Sequence, residues 1–376
     1  MMAASQRVRQ LAENTFAQCR RGVFLGRGVT RRSWLCGVGA AGLVALSAGA
    51  LRATSRVSGF IDVHNHYAPP AFLQFYKDHQ INPLPSAAWD PERQLRDMDR
   101  AGVAVAMLSS FTPYDVGTIA ERRTLSRILN DYGATLVQQH LKRFGLLATI
   151  PLPDVDGCLA EITYAYDHLH ADGIMVYTSA GDRWLGHADF DAIHHELDRR
   201  RAVVLVHPSA PSCCRGLVPG VPDPIIEFPA DTSRAIASLI FGGVTQRYPN
   251  IGFIFSHGGG TMPFLIERFL SGSQAEFVPG VITEGAKVPL KVPPNGTLNE
   301  LRRLYYDTAT ISNPVAMRAL KSVVTPSQIL FGTDFWYVTA EYTVKSLVDG
   351  QVFNDEELRQ IAYLNARRLF PRLKGL

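Results

Sequence analysis

Phe60-Ile61-Asp62-Val63-His64-Asn65-His66 is a short apolar run that ends in two histidines one residue apart. A β-strand alternates its side chains, so His64 and His66 aim two imidazoles to the same side at the carboxyl end of a strand. That is half of a metal site built on stiff backbone. Similar groups follow other apolar runs. His207 ends Val203-Val204-Leu205-Val206, His257 stands just past Ile251–Phe255, and Asp334 follows Gln328–Phe331 in Gly332-Thr333-Asp334. Imidazole and carboxylate are the usual nitrogen and oxygen ligands of zinc, and three histidines with one aspartate leave room for water or substrate. A single histidine at a strand end is ordinarily a partly exposed polar residue. Five such groups at the carboxyl ends of four strands point to function.

The elements that must position them alternate. Strands are expected at Phe60–His64, Val103–Leu108, Phe144–Ile150, Gly173–Tyr177, Val203–His207, Ile251–Phe255, Leu304–Asp307 and Gln328–Phe331. Between them lie helical patterns. Asp90-Pro91 opens a helix that Gly102 ends, Thr118–Lys142 is a second, and Asp154 or Asp156 caps a third. Further helices are expected at Asp189–Arg201, Ala230–Arg247, Met262–Leu270, from Asn313-Pro314, and at Asp355–Phe370. Tyr67–Ala88 reads as a long loop and Ser271–Asn295 as an excursion. Continuous apolar strands are those buried on both faces of a parallel sheet. Eight β-then-α units over 57–376 therefore predict a single (β/α)₈ barrel, whose active site gathers at the carboxyl ends of the strands. An open doubly wound sheet fits less well, because His-Asn-His stands where a glycine fingerprint would follow the first strand.

The 376 residues are 46% hydrophobic and 19% charged, a globular composition. The formal net charge is +4, and the first 56 residues are rich in arginine and hold one acid, Glu13. No basic stripe suggests nucleic acid. Within 1–53, Arg31-Arg32 precede Trp34-Leu35 and an uncharged Gly/Ala-rich run to Leu51, with Ala48-Gly49-Ala50 as a cleavage site. This layout resembles a twin-arginine signal and predicts export to the periplasm of a protein already folded around its metal. The five cysteines, Cys19, Cys36, Cys158, Cys213 and Cys214, match no zinc ribbon, and adjacent Cys213 and Cys214 read as separate thiols. His79, His140, His168, His170, His187, His194 and His195 read as surface.

Phe60–His66, Val203–Pro208, Ser256-His257-Gly258-Gly259-Gly260 and Gly332-Thr333-Asp334 together resemble the motifs of the amidohydrolase superfamily. The likeness is to its metal-dependent decarboxylase branch, which includes the aminocarboxymuconate-semialdehyde, γ-resorcylate and 6-methylsalicylate decarboxylases. Trp89-Asp90-Pro91-Glu92 and Asn365-Ala366 with Leu369-Phe370-Pro371 fit as well. The resemblance implies that His64, His66, His207 and Asp334 bind one divalent ion, zinc first and manganese second. It makes His257, with Asp334, the acid/base pair. It implies that Arg268 reaches the substrate carboxylate of a neighbouring subunit in a homodimer or larger homo-oligomer. No lysine ends the fourth strand, where Tyr177 and Thr178 fall, so one metal is expected rather than two.

Tyr67–Ala88 holds no arginine to bind a second substrate carboxylate, as the aminocarboxymuconate enzyme has in a longer insertion. A less charged aromatic acid suits Phe111, Tyr114, Tyr177, Trp184 and Trp336 better, with Tyr177 and Trp336 as substrate contacts. The expected reaction is nonoxidative decarboxylation of a salicylate-like acid. The alternative is hydrolysis of a lactone, ester or amide by the same metal site. A barrel that binds metal without turnover is a third reading, and the presence of both His257 and Asp334 argues against it.

Overall fold

In the computed structural model, the described residues are 57–81, 89–271 and 291–375. They belong to one unit, Ser55–Leu376. The signal segment 1–53 and most of the excursion expected at Ser271–Asn295 lie outside them. Eight strands form one parallel sheet in chain order: β1 Phe60–His66, β2 Val103–Ser109, β3 Phe144–Thr149, β4 Gly173–Tyr177, β5 Val203–His207, β6 Gly252–Phe255, β7 Tyr305–Asp307 and β8 Ile329–Leu330. The sheet closes on itself beyond β8. Val63 N donates to Phe331 O at 2.9 Å and His66 N to Phe335 O at 2.8 Å. The barrel expected from eight β-then-α units is the fold observed, and no described helix is long and apolar enough to cross a membrane.

The helices begin where local chemistry dictates. The first four are α1 Pro70–Asp78, α2 Pro91–Ala101, α3 Ile119–Gln139 and α4 Val155–Asp167. Asp90 accepts from Arg93 N at 2.6 Å, and Gly102 closes α2 in the left-handed conformation. Thr118 and Glu121 form a reciprocal capping box for α3, and Asp154 caps α4. Then come α5 Asp191–Arg199, α6 Asp223–Phe241, α7 Ile266–Leu270, α8 Pro314–Val323 and α9 Ala340–Asp349.

Three expectations are corrected here. The stretch after Tyr67 is not all loop: α1 fills part of it, started by Pro69-Pro70 and anchored by buried Phe72. Helix α6 starts seven residues before Ala230, because Pro224 sits in its first turn and Pro229 is carried inside it. His194 is buried, with Nε2 against Leu185 O at 2.7 Å, because it lies on the inner face of α5 beside Ile193 and Leu197.

Apolar residues of the strands alternate between two cores. Phe144, Leu146, Val204 and Val206 pack outward against the helices. Ile61, Val63, Met107, Leu147, Met175, Leu205 and Ile254 belong to the second cluster, which fills the barrel. Along β5 the inward set is Val203, Leu205 and hence His207. Along β1 the inward residues are Ile61 and Val63, so simple alternation would turn His64 and His66 outward. A register shift prevents this. Asp62 pairs with Ala106 and Asn65 with Leu108, three steps against two. One extra residue resets the alternation, and both imidazoles turn into the mouth of the barrel.

Candidate metal centre

His64, His66, His207 and Asp334 converge at the carboxyl ends of β1, β5 and β8, all buried, with one ligand atom from each within 4.8 Å of the others. Each imidazole is held by its Nδ1. His64 Nδ1 donates to Asp307 Oδ2 at 2.7 Å, and His207 Nδ1 to Pro208 O at 2.9 Å. Ser109 Oγ donates to Asn65 O at 3.1 Å, which leaves its oxygen to accept from His66 Nδ1 at 2.9 Å. With Nδ1 carrying the proton in all three, each Nε2 presents a lone pair to the centre.

The consequence is a cluster of acceptors facing one another. His64 Nε2 and His66 Nε2 are 3.1 Å apart. Asp334 Oδ1 lies 3.1 Å from the second and 3.4 Å from the first. His207 Nε2 is buried without a partner. Four buried acceptors turned on one point repel unless a cation lies among them. The electrostatics agree. Burial pushes His64 down, but the carboxylates of Asp307 and Asp334 overcome it and raise its pKa to about 10, so the centre favours a positive charge, carried by a proton on His64 or by a metal ion that replaces it. His66 falls to about 4 and His207 well below its usual value, first through burial, so both stay neutral donors. Burial raises Asp334, yet His64 and the surrounding histidines hold it well below the usual carboxylate range. The residues fit one divalent ion, and this is a divalent metal site.

His257 stands beside this set. Its Nε2 is 3.4 Å from Asp334 Oδ2, the oxygen turned away from the closer contact with His66, and its backbone N donates to Asp307 Oδ1 at 2.8 Å. Asp307 thus orients both His64 and His257. Asp62 does the same for the other side. It accepts from Thr333 N, Thr333 Oγ1, Asn65 Nδ2 and His64 N at 2.6–3.1 Å, tying β1 to the Asp334 turn. A buried carboxylate is costly unless it gathers donors in this way. Asn65 in turn accepts from Gln94, which accepts from Trp89 Nε1 at 2.8 Å. Asp307, Ser109 and Asp62 were not singled out from the sequence. An aspartate inside the apolar run of β1 and another at the end of β7 were the available signal, since each needs buried partners.

A cavity of about 550 Å³ opens from His207. Phe111, Tyr114 and Tyr177 line it, and the Phe111 and Tyr177 rings stack at 5.8 Å. Trp336 packs its ring 5.7 Å from His66 with Nε1 buried and unpartnered, but it is not in the cavity lining. Trp184 donates Nε1 to Asp231 Oδ1 at 2.7 Å, away from the cavity. Arg268 is exposed on α7 and also outside the lining. Cys213 and Cys214 are joined in a disulfide, not separate thiols as expected, within a turn closed by Cys214 N to Pro211 O. Cys158 is free and buried.

An eight-stranded parallel barrel with a three-histidine, one-aspartate centre at its carboxyl-terminal mouth defines a class of metal-dependent barrel enzymes. Residues 61–372 match the amidohydrolase family model. The chain belongs to that family. It is 34% identical over 339 residues to decarboxylase yanB of Aspergillus niger, covering 84% of this chain and 88% of that one. It is 30% identical over 328 residues to the 6-methylsalicylic acid decarboxylase of Penicillium expansum, covering 84% and 97%. Its fold superposes with TM-score 0.70 on a dihydroxybenzoic acid decarboxylase from Polaromonas sp. JS666 with bound manganese and 2-nitroresorcinol, at 18% identity, covering 84% and 97%.

Proposed function

We propose that the protein is a metal-dependent nonoxidative decarboxylase of a small, salicylate-like aromatic acid. It is a carboxy-lyase of the amidohydrolase family rather than a hydrolase, as its decarboxylase relatives support. The observation that carries the reading is the division of labour at Asp334. Oδ1 faces His64 and His66, while Oδ2 faces His257.

A divalent ion bound by His64, His66, His207 and Asp334 would supply Lewis acidity toward the substrate carboxylate and its ortho oxygen. The chain does the rest. Phe111 lies 4.5 Å from the His66 ring and 4.8 Å from the His207 ring, so it can hold an aromatic ring beside the centre. His257 Nε2 and Asp334 Oδ2 share a proton path and deliver one proton to the ring carbon that bears the carboxylate. That carbon's bond to the carboxylate then breaks, its electron pair restores the aromatic ring, and CO₂ leaves. One proton is consumed and one C–C bond is exchanged for a C–H bond.

Zinc suits three imidazoles and one carboxylate, and manganese tolerates a similar set. We further propose that Arg268, exposed on α7, serves a second copy of the chain, and that 1–53 directs export by the twin-arginine route. Metal analysis of protein purified without added metal, light scattering and the amino terminus of the exported form test these three points in turn. The function itself is tested by giving the protein a panel of ortho-hydroxybenzoates and simple lactones. CO₂ released from the former supports the reading, whereas lactone opening without CO₂ replaces it with hydrolysis.

A further inference from the structure

The outer wall of the cavity carries charges that this chemistry does not use. Arg215, in the loop after β5, is the one arginine or lysine in the lining among the described residues. Its guanidinium is already engaged. Nη1 donates to Asp115 Oδ2 at 2.5 Å, Nη2 to Tyr114 OH at 2.7 Å, and Nε to Ala210 O at 3.1 Å. Tyr114 OH donates to the same carbonyl at 3.1 Å. Tyr114 and Asp115 lie in the loop after β2, so the arginine clamps two loops that come from strands on separate sides of β3 and β4. Asp223 also lines the wall and accepts from Gly216 N at 2.8 Å. Among the described residues, two carboxylates against one guanidinium leave this wall with a net negative charge.

We propose that Asp115 is a specificity-determining residue. By engaging Arg215 it withholds the guanidinium from the ligand, and the site then selects an aromatic acid whose outer substituent is uncharged over one that carries a second carboxylate there. The inference rests on the proposed function for its orientation, with one carboxylate at the inner, metal end. The physics is that of a charge meeting a paired charge. A second ligand carboxylate would have to displace Asp115 from Arg215 or face two aspartates with the arginine already neutralised. The side chains of Arg215 and Asp115 are 47% and 34% exposed, so the selection is screened and weakens as salt rises.

The test is titration calorimetry on the manganese-loaded wild type, Asp115→Asn and Arg215→Gln, with 5-methylsalicylate and 5-carboxysalicylate. CO₂ release from the same pair is followed separately. The wild type is expected to bind the dicarboxylate at least tenfold more weakly. Asp115→Asn should shrink that ratio at least fivefold, because the guanidinium loses its counter-charge and becomes available. Arg215→Gln should leave the ratio as large or widen it. Equal binding of both ligands by the wild type overturns the proposal. So does a dicarboxylate that Arg215→Gln weakens tenfold, since Arg215 would then be a ligand contact already in the native protein. Binding of neither ligand overturns it too. The expected pattern of affinities without any CO₂ would uphold the charge selection and remove the decarboxylase reading.

Discussion

The two ends of the cavity are built on opposite terms. At the inner end, buried polar atoms are packed together and each imidazole is fixed through its outer nitrogen. At the outer end, rings dominate the described wall, and the Arg215 guanidinium is tied to Asp115, partly open to solvent. The inner end is preorganised for a cation and for moving a proton, and it tolerates little change because its partners have no water to replace them. The outer end works through shape and net charge, where solvent softens each contribution. On the proposed function, chemistry is vested in the inner end and choice of substrate in the outer one.

The sharpest way to break this contrast is at the inner end. Replacing Asp334 with Asn removes a charged ligand and the partner of His257, so activity should fall by about 10²–10⁴. His64→Ala should reduce bound metal from about one ion per chain to near none. Elemental analysis beside CO₂ assays checks both, and full metal content in His64→Ala would mean the centre lies elsewhere. Asp307→Ala touches no ion, yet it should weaken metal binding by about 10–100-fold, because His64 loses the partner that sets its tautomer. Competition with a chelator measures this, and unchanged affinity would show that Asp307 only braces the fold.

Gly332→Ala comes next. A Cβ there would meet His64 Cβ and Asp307 Cβ at 2.9 Å. Such overpacking costs about 1–3 kcal/mol, and it should show as a lower Tm together with weaker metal binding. The smallest effect belongs to the outer end. Phe111→Leu keeps an apolar wall but removes a ring face worth about 1 kcal/mol, so KM should rise by up to about tenfold with kcat little altered. A large loss of kcat instead would erase the distinction between the two ends.

The strand order, most helix starts and the residues of the centre were legible because each leaves a local mark. Apolar runs end in histidine, and Asp90, Thr118, Asp154 and Asn313 stand where helices begin. Helix α1 was hidden because its prolines read as loop while Phe72, which anchors it, looks like any aromatic. His194 was read as surface because its face is decided by what α5 packs against.

The sequence by itself determined that two imidazoles of β1 share a side, since alternation is a property of extended backbone. It also placed His207, His257 and Asp334 at the ends of their strands. Only the tertiary structure decided that His64 and His66 face the barrel mouth, because that depends on a one-residue shift of register against β2. Only it could decide which carboxylates serve the site, since Asp307, Asp62 and Asp115 act on partners that folding brings from distant positions in the chain. Hydrogen bonds and charge pairs depend on distance in space, and no spacing along the chain records it.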